Sequence, residues 1–119
     1  MHRARLLKRA RLSRAADFKK VFEKGVRSSD RYFTILARPN DFEFPRLGLA
    51  ISKKRAKHAV TRNRLKRLIR ESFRHNQHRL CCADFVVIGG QSCAHANNSS
   101  LAQSLDKHWQ KLEKLCAKS

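Results

Sequence analysis

From Lys53 to Arg79 the chain carries eleven lysine and arginine residues and one acid, Glu71, a net of +10 in 27 residues. No other segment limits the possible folds as strongly. The segment cannot be surrounded by protein, because buried cations need partners and here there are almost none. It is not uniformly polar either. At about 100° per residue Leu65, Leu68, Ile69, Ser72 and Phe73 fall on one side of a helix. Lys66, Arg67, Arg70, Arg74 and Asn63 fall opposite, with Arg62 and Arg64 on the two flanks. One side can dock on a sheet and the other is a cationic strip. Ordinary solvated faces mix both signs and gain from opposite charges at i,i+4, whereas nearly every such pair here repels. The strip therefore reads as a phosphate-binding face, a task that suits the planar two-donor fork of arginine. Ser52-Lys53-Lys54-Arg55 leaves a strand edge just before it, which brings backbone donors and charge to one corner.

The remaining segments supply the body of the fold. Met1 to Leu12 is a basic arm. Ser13 or Asp17 can cap a first helix with Phe18, Val21 and Phe22 at i, i+3, i+4, which Gly25 is placed to end. Tyr32–Ala37 and Leu47–Ser52 have the composition and alternation of strands, and Phe85–Ile88 is a short apolar strand stopped by Gly89 and Gly90. Ser99 or Ser100 can cap a last helix whose Leu101, Leu105, Trp109 and Leu112 share a face. The order helix, two strands, helix, strand, helix predicts an α+β sandwich: a small mixed sheet packed with three helices, in a single domain spanning residues 1–119.

Composition narrows the function. The whole chain has 119 residues and a net charge of +19, the mark of a protein that meets a polyanion. With 41% hydrophobic residues it is not a disordered basic tail. No run approaches the roughly 18 to 20 apolar residues of a membrane span. The basic start lacks the apolar core of a signal peptide, although an organelle transit peptide would share its composition; a cytoplasmic location is the expectation. Cys81, Cys82, Cys93 and Cys116 have neither zinc-site spacing nor the pattern of a disulfide framework, so reduced thiols are expected. The nine acids are scattered, and only Asp41 and Glu43 lie close together, which argues against a two-metal nuclease site in the protein.

The run Thr61-Arg62-Asn63-Arg64-Leu65-Lys66-Arg67-Leu68-Ile69-Arg70-Glu71-Ser72-Phe73-Arg74 resembles the signature of the bacterial ribonuclease P protein family. Asp17-Phe18-Lys19-Lys20-Val21-Phe22 looks like that family's first helix. Arg46-Leu47-Gly48-Leu49-Ala50-Ile51-Ser52-Lys53-Lys54 looks like the strand leading to its basic helix. The resemblance implies a left-handed β-α-β crossover, where the general rule is right-handed. It implies a non-catalytic subunit that binds a catalytic RNA and the 5′ leader of precursor tRNA while the RNA carries the endonucleolytic chemistry. It also implies that Mg²⁺ is required by the RNA holoenzyme, with no cofactor bound by the protein alone, and that the protein is monomeric within that holoenzyme. Carried onto this chain, the RNA-facing residues are Lys53, Lys54, Arg55, Arg62, Asn63, Arg64, Lys66, Arg67, Arg70 and Arg74. The leader cleft is lined by Phe18, Phe22, Tyr32, Thr34 and Leu36, the last three sharing a strand face by alternation. Some family members carry an aromatic where this chain has Leu36, which weakens base stacking there; Tyr32 is the candidate substitute. Phe18 and Phe22, at helical spacing, also fit plain core packing.

Two other binding classes share this composition. A ribosomal protein would be equally small and basic but would not stimulate leader removal. A duplex-DNA reader would aim Asn, Gln or Arg side chains at base edges and would usually dimerise. A membrane-surface helix is disfavoured, since the apolar face from Leu65 to Phe73 is needed for the core.

Overall fold

The computed structural model describes residues 10–115. The basic arm expected over residues 1–12 therefore lies mostly outside the described residues, as does Cys116. Three helices and four strands follow in the order α1 (Ala15–Lys24), β1 (Val26–Ser29), β2 (Phe33–Pro39), β3 (Arg46–Ala50), α2 (Ala59–Asn76), β4 (Ala83–Gly89) and α3 (Asn98–Leu112). The strands form one mixed sheet in the order β1-β2-β4-β3. Strand β2 runs antiparallel to β1 and β4, and β3 runs parallel to β4, so α2 is the crossover of a β-α-β unit. The α+β class and the three helices are as expected.

Strand β1 is an addition to the expected elements. Val26-Arg27-Ser28-Ser29 has one apolar residue and no usable alternation, and it is a strand because β2 pairs with all four residues. Helix caps also differ from expectation. Neither Ser13 nor Asp17 caps α1; its N-cap is Arg14, with no side-chain bond. Asn97 caps α3 in place of Ser99 or Ser100, its Oδ1 accepting the Ser100 N–H at 2.8 Å, three residues on, as an N-cap should. Cys81 is disulfide-bonded, against the expectation of reduced thiols, while Cys82 and Cys93 are free. Sequence spacing holds no information on such pairing.

Alternation sorts the sheet into two faces. Phe33, Ile35, Phe85 and Val87 meet Leu65, Ile69 and Phe73 of α2 and Leu101, Leu105 and Trp109 of α3 in the main core. The rings of Phe73, Phe85 and Trp109 pack edge-on with centroids 5.8–6.0 Å apart, and the Trp109 indole N–H donates to Ser72 Oγ at 2.8 Å. On the other face α1 covers only part of the sheet. There Val21 and Leu12 close over Leu36 and Val86, with Phe18 alongside. Helix α1 can come this near because residue 48 is glycine; a Cβ there would stand 2.7 Å from Phe18 Cζ.

A buried polar cluster joins β1 to α3. Ser28 Oγ is 2.6 Å from His108 Nδ1, His108 Nε2 is 3.2 Å from Asp30 Oδ2 without a well-formed hydrogen bond, and Ser104 donates to the same Asp30 oxygen at 2.6 Å. Burial lowers the His108 pKa, and the Asp30 carboxylate opposes this only in part. The unfolded chain protonates this imidazole near pH 6.5, the native chain only at lower pH. Native stability should therefore fall as pH drops below about 6.5 and go on falling until the native imidazole takes its proton. Urea unfolding at pH 7.5 and 5.5 measures this, and the difference should shrink in His108→Gln. An undiminished difference would place the sensitivity in another histidine.

Candidate nucleic-acid interface

Helix α2 docks through Leu65, Ile69 and Phe73, all fully buried, which are three of the five residues assigned to its apolar side. Leu68 and Ser72 sit half-buried at the margins. The opposite side carries Asn63, Arg67 and Arg70 in the open, with Lys66 and Arg74 half-buried beside them. Lys53, Lys54 and Arg55 form an exposed turn after β3, fixed by the Arg55 and Ala56 N–H groups donating to the Ser52 carbonyl at 3.1 and 3.0 Å. Among the described residues the ion pairs lie elsewhere: Lys19 with Glu23, Arg46 with Asp17 and Asp84, and Arg79 with Glu113. No carboxylate among the described residues pairs with the strip, so its potential is available to an outside polyanion. The Arg74 Nε is shielded from solvent and has no hydrogen-bond partner among the described residues.

Two grooves flank the strip. One, of about 410 Å³, runs between α2 and the start of α3, lined by Val60, Asn63, Arg64, Arg67, Leu68, Glu71 and Asn98. The other, of about 250 Å³, lies between α2 and the outer edge of β3, where Arg11 joins Lys66 and Arg70. Arg11 is held there by a bridge to Leu47. Sequence alone does not single it out, since it is one basic residue among several in the arm.

Arg62 and Arg64 are placed differently from the other cations. Arg62 Nη1 donates to the carbonyls of Ala56 at 2.9 Å and Lys57 at 3.0 Å. Arg64 Nη1 donates to Asn98 Oδ1 at 2.6 Å and its Nη2 to the Ala94 carbonyl at 3.3 Å. Both guanidinium groups are half turned into the protein.

The open part of the other sheet face is a cleft of about 590 Å³. Thr34, Ala50, Ile88 and Gly89 line it on the sheet, Phe22 on α1, and Asp30, Arg31, Ser52, Arg55, Gly90 and Gln91 on the loops. Phe22 is 48% exposed, large enough an apolar surface to stack a base. Phe18, its ring centroid 6.3 Å away, is half-buried against the sheet over Gly48, nearer the core-packing role. Two of the expected cleft residues are elsewhere. Leu36 is buried at 4% exposure in the small core with Val21 and offers no surface. Tyr32 packs against the main core on the far side of the sheet. The alternation that pairs it with Thr34 does not reach residue 32, because β2 begins at Phe33. Asp30 Oδ1 instead accepts the Tyr32 and Phe33 N–H groups at 2.8 and 2.9 Å, folding the chain into a turn. The loops of the cleft escape sequence reasoning because Gly89 and Gly90 read only as a strand stop. Gly90 in fact permits close approach: a Cβ there would stand 2.7 Å from the Arg31 carbonyl oxygen.

Among the described residues no three His, Cys, Asp or Glu side chains converge on a point, and no helix is long and apolar enough to cross a membrane. The arrangement offers a cationic helix face on one side and a mixed polar and aromatic cleft on the other.

Comparison with known proteins gives one answer from three directions. The family model for ribonuclease P matches residues 6–113. The ribonuclease P protein component of Methylococcus capsulatus is 47% identical over 109 residues, covering 92% of this chain and 85% of its own. That of Haemophilus influenzae is 50% identical over 109 residues, 92% of each chain. Among solved structures, a Staphylococcus aureus RNase P protein mutant superposes with a TM-score of 0.82 at 32% identity over 90% of both chains. The RNase P protein of Thermotoga maritima gives 0.76 at 29% identity, over 85% of this chain and 96% of its own.

Proposed function

The chain belongs to the ribonuclease P protein family, and from that premise we propose that it binds the catalytic RNA of ribonuclease P through the open face of α2 and the 5′ leader of precursor tRNA in the cleft beside α1. In this role the protein promotes endonucleolytic removal of the leader while the RNA carries the chemistry. The carrying observation is the strip of Asn63, Lys66, Arg67 and Arg70, with Lys53 and Lys54 beside it, with which no carboxylate among the described residues forms an ion pair. Such a face gains most by releasing condensed counterions from a nucleic-acid backbone. The cleft supports the second half of the reading. Phe22 can stack on any base and Arg31 and Arg55 sit at its margin, so it suits a strand whose sequence varies.

Mg²⁺ enters this scheme as a requirement of the RNA, held by its phosphates, and a cytoplasmic, monomeric subunit fits it. The protein's contribution is to lower the repulsion between two polyanions. Reconstitution with a bacterial ribonuclease P RNA tests the proposal. At Mg²⁺ concentrations too low for the RNA alone, added protein should restore cleavage of precursor tRNA. No stimulation over RNA alone would reject it, and binding to ribosomal RNA without stimulation would favour a ribosomal protein.

A further inference from the structure

Arg62 and Arg64 leave α2 from its two flanks and reach two different loops, and both loops border the cleft. Arg62 grips the carbonyls of Ala56 and Lys57, in the loop from β3 to α2 that supplies Ser52 and Arg55. Arg64 grips Ala94, in the loop from β4 to α3 that supplies Gly90 and Gln91, and Asn98, the first residue of α3. The loops also approach each other. A Cβ on Gly89 would lie 3.2 Å from Cys93 Sγ and 3.6 Å from Arg55 Cβ. Asn63, between the two arginines, is exposed.

We infer that Arg62 and Arg64 are positioning residues which brace both loop walls of the cleft against α2, so that the seating of catalytic RNA on the helix and the grip on the leader are coupled. The inference rests on the proposed function and changes the part that two of its arginines play. Each guanidinium commits two of its five N–H groups to protein oxygens, so it still adds to the positive field but is less free to follow a phosphate than Arg67 or Arg70. What it fixes is distance. Tightening α2 against RNA holds the walls in place, and a leader in the cleft holds the helix in turn, because coupling between sites is reciprocal. Arginine is required by reach and shape. Lysine ends one bond sooner, and a single nitrogen cannot serve Ala94 and Asn98 as Nη2 and Nη1 do.

The test compares holoenzymes carrying the wild-type protein, Asn98→Ala, or Arg62→Lys with Arg64→Lys. Asn98→Ala takes a partner from Arg64 without altering any charge. Two quantities are read: affinity for the catalytic RNA with its salt dependence, and the preference for precursor tRNA over the same tRNA without a leader. Asn98→Ala should leave the salt slope of RNA binding unchanged, because it removes no charge, and should reduce the leader preference. The double lysine variant should reduce that preference by roughly fivefold or more, the lower end of usual couplings between sites. Amide hydrogen exchange in the free variants should quicken at residues 53–57 and 94–98 and stay slow at Leu65 and Ile69. Leader preference kept in both variants would overturn the inference. So would a preference kept while the lysine variant loses RNA affinity, since the arginines would then bind phosphate directly. A wild-type holoenzyme with no leader preference would remove the proposed function itself, and the coupling with it.

Discussion

Replacing Lys66, Arg67 and Arg70 together by glutamine should weaken binding to the catalytic RNA on the order of a hundredfold in 0.1 M salt and hardly at all near 1 M. The size follows from counterion release. Each phosphate that loses its cation makes the plot of log affinity against log salt shallower by about 0.7 to 0.9, so the triple change takes roughly two to three off the slope. None of the three side chains makes an ion pair among the described residues, and Lys66 repels Arg70 one turn on. The fold should therefore survive the change, and circular dichroism in sulfate should match the wild type. Binding isotherms at several salt concentrations check the prediction. An unaltered slope would mean that these side chains face solvent in the complex.

The second large effect is on stability. Asp84 lies on β4 with its side chain 10% exposed, and it accepts from Arg46 Nε and Nη2, each at 2.7 Å, and from Asn40 Nδ2 at 2.9 Å. The same guanidinium sits 4.3 Å from the centroid of the Phe42 ring and 3.7 Å from Asp17 on α1. One side chain thus joins β3 to its neighbour strand, to the 40–45 loop and to α1. Arg46→Met keeps most of the volume but leaves a buried carboxylate with an amide for company. Breaking such a pair costs about 3–5 kcal/mol. A domain of this size has about 5–15 kcal/mol in all, so the melting temperature should fall by roughly 15 °C or more. Removing both charges, as Arg46→Met with Asp84→Leu, should recover much of the loss, because no unpaired ion is then left inside. A melting temperature within a few degrees of wild type in the single variant would show that water reaches Asp84 and screens it.

Arg46 also marks where the sequence stops being readable. Its partner lies 38 residues away, and Asp84 reads as one of nine scattered acids until β3 is laid beside β4. Periodicity carries what is local. The apolar stripe of α2 is legible because Leu65, Ile69 and Phe73 repeat at helical spacing, and β4 because its interior is continuously apolar. Strand β1 is not, since Ser28 is buried by its contact with His108 and not by any hydrophobicity of its own. Tyr32 shows the limit of alternation, which holds only inside a strand whose first residue is known. Leu36 lies on the face that alternation assigns it, but the reach of α1 over that face is not in the pattern. Arg62 and Arg64 show the deepest limit. Charge and spacing mark them as basic residues on a basic helix, and only the folded loops reveal that they hold the protein's own oxygens.

Contact between the open face of α2 and the catalytic RNA can be read by placing a photo-crosslinking side chain at Arg70, and separately at Gln110 on the exposed side of α3, in a protein assembled with ribonuclease P RNA. Irradiation should join position 70 to the RNA in high yield and leave position 110 unreacted. Crosslinks from position 110 with none from position 70 would contradict the account.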